Sequence, residues 1–521
     1  MNTEKQKLSI LFPYPDSSSD RILPDGETPK LIYDLSVDRM FEYIVPDIGS
    51  RSYFLSALAA LPQNRENVLS RQQTLRDFYE LPTLFNRFGS LFGRWAALRR
   101  EWNDARSKTA GSVVRSASGL ANASSEYYRS CYRLQVAAQY TRKIIAFIRG
   151  ISAELSAAEL RSEALIALRK EANRICSDPS LSKLDSICAR YDSFAASNAA
   201  FDLAPTFDDY LSISDVRARL STDLYSEEGT EKKPGLLSRL INRGKTEKPD
   251  EGEYRPIKSV DVGADGSNML LLLNESVSDL SAVMSSAASA LYGVFERIPE
   301  ECAFYRTALR YIAFMEEREV ELVYPEIGQR ESRIIDIEEL MDGLLTAASE
   351  HRGASDVIPN NVFLEDGGLI VVGDNNTGKT VYLRSIGVAL LLGQAGLPIT
   401  AKKALISPRS SVLTHFASAE KDFLDGDVSG RFESEVKQVA DINRDMDGGS
   451  LILLNETFQT TAYAEGAEGL WPILCHWSDK GGIWVLATHL RELLSHIDTE
   501  DGVKVTVART KPGYKIEREG K

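Results

Sequence analysis

Lys379 and Thr380 close a run of eight residues, Gly373-Asp374-Asn375-Asn376-Thr377-Gly378-Lys379-Thr380, with the spacing G-x-x-x-x-G-K-[ST]. Residues of these types at this spacing hold phosphate. The glycines let the backbone turn tightly, so successive N–H groups converge on one point, and the positive end of a following helix favours an anion there. Lys379 adds a point charge for β- and γ-phosphates. The Thr380 hydroxyl is placed to ligate Mg²⁺.

Three later stretches carry complementary chemistry. Ser450-Leu451-Ile452-Leu453-Leu454-Asn455-Glu456 is an apolar run ending in two polar residues, the Walker-B arrangement. Its first polar position normally supplies Asp to the Mg²⁺ shell. Asn455 can hold a metal-bound water there but brings no negative charge. Glu456 is the carboxylate that can take a proton from an attacking water. Ala487-Thr488-His489 ends another apolar run and offers an imidazole to sense the γ-phosphate. Asp425-Gly426-Asp427-Val428-Ser429-Gly430-Arg431-Phe432 opens a helix expected over 432–443. Ser429 at that helix start could bind the γ-phosphate of a neighbouring subunit's nucleotide.

These residues need elements to position them. The run 369–372 reads as a buried parallel strand before the glycine turn, and 381–394 as a helix after it, stopped by Gly396 and Pro398. From about 332 onward short strands (362–365, 369–372, 451–454, 483–487) alternate with helices, which signals an α/β domain. Before it, 31–225 reads as all-α, punctuated by Pro46, Pro62 and Pro82, with helical spacing over 124–151 and 156–175. Long helices resume over 269–295 and 301–323, ended by Tyr324-Pro325-Glu326. Between them, 226–257 is a charged, glycine- and proline-containing insertion, and residues 1–30 read as a polar tail or edge segment. The arginine-rich run 87–115, with Trp95 and Trp102, allows a nucleic-acid face or a solvated helix face with inward aromatics; the second is favoured.

At 521 residues the chain calls for two or three domains. Hydrophobic residues at 43% and charged residues at 26% are ordinary for a soluble protein, and no apolar run has the length of a membrane span. The N-terminus lacks the apolar core of a secretory signal. Five scattered cysteines without a C-x-x-C pair suggest reduced thiols and a cytoplasmic protein. A net charge of −14 lowers the expectation of tight non-specific DNA binding.

The C-terminal ~190 residues resemble the ATPase domain of the MutS family, the DNA mismatch-repair ATPases of the ABC superfamily. The resemblance rests on Gly373, Asn375, Gly378, Lys379 and Thr380 followed by Tyr382-Leu383-Arg384, on the lead-in Val357-Ile358-Pro359-Asn360-Asn361-Val362, and on Ala487-Thr488-His489 with Glu492-Leu493. Leu69-Ser70-Arg71-Gln72-Gln73 and Tyr324-Pro325-Glu326-Ile327 sit where the family's core and lever landmarks would. It implies an α + α/β architecture: a polar tail (1–30), a long-helix core and lever domain (31–331) with 226–257 at the clamp position, and an ABC-type P-loop ATPase domain (332–521). It implies ATP and Mg²⁺ as cofactors. Gly373, Asn375, Asn376, Thr377, Gly378, Lys379, Thr380 and Val381 would hold the phosphates, Ile358 would lie near the adenine, and Ser429 would come from the neighbouring subunit. Thr380 and, through water, Asn455 would hold the metal; Glu456, His489 and Lys379 would be catalytic. It also implies a homodimer formed on ATP binding and double-stranded or branched DNA held by the helical arms.

This sequence departs from the family where Asp-Glu becomes Asn455-Glu456 and where a glycine-rich loop becomes Phe458-Gln459-Thr460-Thr461-Ala462. The family's serine-threonine pair is only roughly matched near Ser429 to Arg431. A mismatch-reading domain is not expected ahead of a core beginning near residue 31, nor is a helix-turn-helix after Lys521. Slow hydrolysis is therefore expected, and the alternative function is a nucleotide-gated scaffold that binds a protein partner.

Overall fold

A computed structural model of the chain describes residues 8–22, 28–110, 119–192, 201–207, 213–220, 267–416, 428–458, 463–497 and 503–519. The 226–257 insertion and residues 425–427 and 459–462 of the sequence motifs lie outside the described residues. The chain divides into two compact units. One comprises Met1–Ser9, Leu81–Leu160 and Leu165–Pro299; the other comprises Ile10–Glu80, Arg161–Ala164 and Glu300–Lys521.

The first unit is built on three long helices, Pro82–Ala110, Gly119–Ser156 and Ser267–Val294. The second of these has 38 residues, about 57 Å at ~1.5 Å per residue. Leu84, Phe88, Phe92, Trp95, Leu98 and Trp102 recur at steps of three and four and are buried, the spacing that puts them on one helix face. Arg87, Arg94 and Arg100 fall outside that face and are exposed. The described part of the 87–115 run is thus a solvated face with inward aromatics. Trp95 lies between Phe147 and Tyr292, with ring centroids 3.9 and 4.6 Å away. The ion pairs Lys143–Glu101, between the first two helices, and Arg99–Glu296, just past the end of the third, lie at the surface and contribute ~0–1 kcal/mol each. Burying one aromatic side chain contributes about 1.5–3 kcal/mol, so the aromatic stack dominates.

The all-α reading of 31–225 needs one correction. β1 (Phe201–Phe207) and β2 (Ile213–Leu220) form an antiparallel pair, with Phe201 opposite Leu220. Val216, Ala218 and Leu220 alternate with Asp215, Arg217 and Arg219, a period of two that favours strand over helix.

The second unit holds the helices of 30–80, the helix Ile298–Glu317 and all remaining strands. Within the segment read as a polar tail, Ile10, Leu11 and Phe12 are buried. Glu301 Oε2 accepts the N–H groups of Ile10 and Leu11 at 2.6 and 3.3 Å, and Tyr305 donates its hydroxyl to the Ile10 carbonyl at 3.0 Å. Arg71 Nε donates to the Leu11 carbonyl at 2.9 Å, and its guanidinium lies 4.4 Å from the Phe12 ring centroid. Polar neighbours mask this apolar triplet in the sequence. Buried side chains satisfy the backbone groups that make a buried coil costly.

Two mixed sheets follow. β3 (Glu326–Ile327), β4 (Ile335–Leu340), β5 (Asn360–Leu364) and β7 (Lys403–Ile406) make one, in the order β3-β7-β4-β5. β6 (Gly368–Val372), β8 (Ser411–Phe416), β9 (Ser450–Asn455), β10 (Ile483–Thr488), β11 (Val505–Lys511) and β12 (Lys515–Arg518) make the other. Its order is β12-β11-β6-β10-β9-β8, parallel throughout except for β12. The central strands are apolar along their length because both faces are covered. On one face, Ile370, Ile452, Leu454, Trp484 and Leu486 pack with Val439 and Ile442 of the helix Val428–Asp445 and Trp471 and Leu474 of the helix Tyr463–Asp479.

Candidate functional site

Register brings the polar ends of three strands together. β10 lies between β6 and β9, with Thr488 opposite Val372 and Ala487 opposite Asn455. The loops leaving β6, β9 and β10 therefore emerge side by side at the carboxyl edge of the parallel sheet, where such sheets bind ligands.

From β6 the chain turns through 373–378 into the helix Lys379–Gln394. Gly378 has φ +94°, a conformation open to glycine at no steric cost. A Cβ on Gly373 would fall 2.1 Å from Thr510 Oγ1 of β11, so the turn is pressed against the neighbouring strand. Thr377 Oγ1 donates to the Asp374 carbonyl at 2.7 Å and closes the turn. The first four N–H groups of the helix have no acceptor within it. Residues 375–382 line a cavity of about 690 Å³. Leu345, Val357, Ile358 and Tyr514 give the same cavity apolar lining.

Lys379 is 4% exposed. Its Nζ donates to the carbonyls of Gly373 and Asp374 at 2.6 and 3.0 Å and lies 3.2 Å from Glu456 Oε1. The other oxygen of Glu456 is 2.8 Å from His489 Nδ1. An ionised carboxylate only accepts, so that pairing requires the proton on Nδ1. Thr380 Oγ1 donates to Asn455 Oδ1 at 2.8 Å.

Glu456 and Phe458 hold left-handed backbones, φ 55° and 61°, at a cost of ~1–2 kcal/mol each. Neighbouring contacts hold the turn. The Glu456 N–H donates to the Ala487 carbonyl at 2.9 Å. Thr457 Oγ1 and His415 Nδ1 are 2.9 Å apart, and burial pushes His415 down to about 4. The Phe458 N–H donates to Glu435 Oε2 at 2.9 Å. In the cavity wall, burial lifts the Asp342 carboxyl above the usual carboxylate range, while the group accepts the Leu345 N–H at 2.8 Å.

Lys379, Thr380, Asn455, Glu456 and His489 thus form one connected cluster. Asn375, Asn376, Thr377, Gly378, Val381 and Ile358 line the adjoining cavity. Gly373 accepts the lysine's hydrogen bond. Ser429 is the second residue of the helix Val428–Asp445. Oxygen donors from Thr380, Asn455 and Glu456 suit a hard cation such as Mg²⁺, with Asn455 contributing a dipole where a carboxylate would add charge.

Sequence reasoning missed Tyr514. It stands on the β11–β12 turn, 59% exposed, and a Cβ on Gly378 would lie 3.4 Å from its ring. Pro512-Gly513 marks a turn. Only the pairing of β11 beside β6 reveals what that turn faces. Asn360 fixes it, donating to the Tyr514 carbonyl at 3.2 Å and accepting the Ile516 N–H at 2.8 Å.

Residues 369–515 match the family MutS domain V. A mitochondrial DNA mismatch repair protein mutS homolog of Sarcophyton glaucum is 32% identical over 142 residues, 27% of this chain and 14% of that protein. Endonuclease MutS2 of Shouchella clausii is 30% identical over 169 residues, 31% of this chain and 21% of that protein. The DNA mismatch repair protein MutS of Clostridium botulinum is 27% identical over 175 residues, 31% of this chain and 18% of that protein. The matches therefore span about a fifth or less of these relatives. Among the described residues no helix is long and apolar enough to cross a membrane, and none of the five cysteines is in a disulfide.

Proposed function

We propose, from the premise that this chain is a MutS-family member through its domain V, that it is an ATP-operated switch of the DNA-repair type with slow hydrolysis. The observation that carries the reading is the convergence of Lys379, Thr380, Asn455, Glu456 and His489 beside a cavity lined by the glycine turn. An ABC-type P-loop ATPase domain is the arrangement this supports.

In this reading the backbone N–H groups of 375–380 and the Lys379 ammonium bind the β- and γ-phosphates. Ile358 and Tyr514 bound the space for the base. Thr380 and, through water, Asn455 would hold Mg²⁺, which would supply positive charge to the phosphate oxygens. Glu456 accepts the proton of the attacking water. His489, hydrogen-bonded to Glu456, orients that carboxylate. Ser429 faces the nucleotide of a second copy, so ATP joins two chains as a homodimer. The helical first unit is the lever that grips double-stranded or branched DNA.

Lys379→Ala tests the nucleotide site. Losing a charge-assisted contact of ~1.5–3 kcal/mol is expected to weaken ATP binding about 10- to 100-fold, and phosphate release should vanish. Unchanged affinity and turnover would refute the assignment. The net charge of −14 favours a second reading, a nucleotide-gated scaffold for a protein partner. Binding to mismatched and branched duplexes at two salt concentrations separates the two, since phosphate contacts weaken steeply with salt. No binding with or without ATP would support the scaffold.

A further inference from the structure

Glu435 sits on the inward face of the helix Val428–Asp445, in line with buried Val439, Ile442 and Met446. A carboxylate at a core-facing position is costly unless it is partnered, and burial raises its pKa. Its partner is specific: Oε2 accepts the backbone N–H of Phe458 at 2.9 Å. Phe458 lies two residues after Glu456, and both hold positive φ. Residues of that kind keep such a backbone only where surrounding contacts over-determine it.

Three contacts do so here. Ala487 of β10 holds the Glu456 N–H, His415 of β8 meets the Thr457 hydroxyl, and Glu435 holds the Phe458 N–H. The first two come from strands of the sheet that carries Glu456. Glu435 alone of the three comes from a helix, the one whose second residue is Ser429.

We propose that Glu435 is a positioning residue for Glu456: by fixing the Phe458 N–H it aims the Glu456 carboxylate, and it makes that aim depend on the helix Val428–Asp445. This rests on the reading above, in which Glu456 serves ATP hydrolysis. Glu435 touches neither substrate nor metal in this account, so its effect belongs to turnover and not to nucleotide affinity.

The test uses the full chain with Glu435→Met, which keeps the length but accepts no hydrogen bond, and Glu435→Gln, which keeps an acceptor. Phosphate release from ATP gives kcat; a fluorescent, non-hydrolysable ATP analogue gives Kd. Glu435→Met is expected to lower kcat by about tenfold or more with Kd within about twofold, and Glu435→Gln to stay within about threefold of wild type. Wild-type kcat in Glu435→Met, or equal losses in kcat and affinity, would overturn the proposal. So would a Gln variant as impaired as the Met variant. If Glu435→Met does not fold, Glu435→Asp, one methylene too short to reach, carries the same expectations. A wild-type chain that releases no more phosphate than Lys379→Ala removes the hydrolysis reading itself, and the proposal with it.

Discussion

Replacing Asn455 by Asp changes one charge at the centre of the site and leaves its shape almost intact. Thr380 Oγ1 donates to Asn455 Oδ1 at 2.8 Å, and Asp keeps that acceptor. A unit charge ~4 Å from a divalent ion gains about 8 kcal/mol gross at an effective dielectric of ~20. Hydration lost by both charges offsets most of it. What remains is the difference between a charged and a neutral acceptor of a metal-bound water, ~1–2 kcal/mol. At about 1.4 kcal/mol per tenfold, Mg²⁺ should half-saturate phosphate release at roughly 5- to 30-fold lower concentration. Turnover at limiting Mg²⁺ should rise by a similar factor. Without Mg²⁺ the new carboxylate repels Glu456, which should lower stability by about 1 kcal/mol. The assay is phosphate release titrated with Mg²⁺, together with thermal melts in EDTA. If the variant shows the wild-type Mg²⁺ midpoint and the wild-type rate, Asn455 is outside the metal shell.

Two further outcomes concern stability. His415 has a folded pKa of about 4 against 6.5 for the free side chain, so its neutral form is the one the fold accepts; the cause is burial, followed by the nearby Lys30 charge. Stability is therefore whole above pH ~6.5 and is lost as pH falls toward ~4, the loss reaching about 3 kcal/mol. Chemical denaturation at pH 7.5 and 5.0 should show wild type losing about 2 kcal/mol more than His415→Gln; equal losses would contradict this. In the helical unit, Trp95→Ala should cost ~3–5 kcal/mol. Arg94→Ala on the same helix should stay within about 0.5 kcal/mol. Denaturation midpoints check the contrast, and comparable effects would reverse the assignment of the two helix faces.

Much of the site was legible because its chemistry is local. The G-x-x-x-x-G-K-[ST] turn, the strand before it and the helix after it are set by neighbours in the chain: apolar runs, glycines and their spacing. The expected strands 362–365, 369–372, 451–454 and 483–487 match β5, β6, β9 and β10 to within two residues at either end, since each buried parallel strand is a short apolar run with clear ends. Local pattern also carried the face of Trp95 and Trp102. It fails at β1 and β2, where a period of two lies inside a helix-rich composition, and at Ile10-Leu11-Phe12, where polar neighbours surround three apolar residues.

What the chain order could not contain is proximity. Lys379, Glu456 and His489 meet because β10 inserts between β6 and β9 in one register. Tyr514 reaches Gly378 because β11 pairs with β6. Glu435 finds the Phe458 N–H only when its helix packs beneath the sheet. Each is a contact between residues distant in sequence, selected by burial of the whole apolar surface. The turn that catches an anion is written in eight residues; which side chains face it is decided by packing.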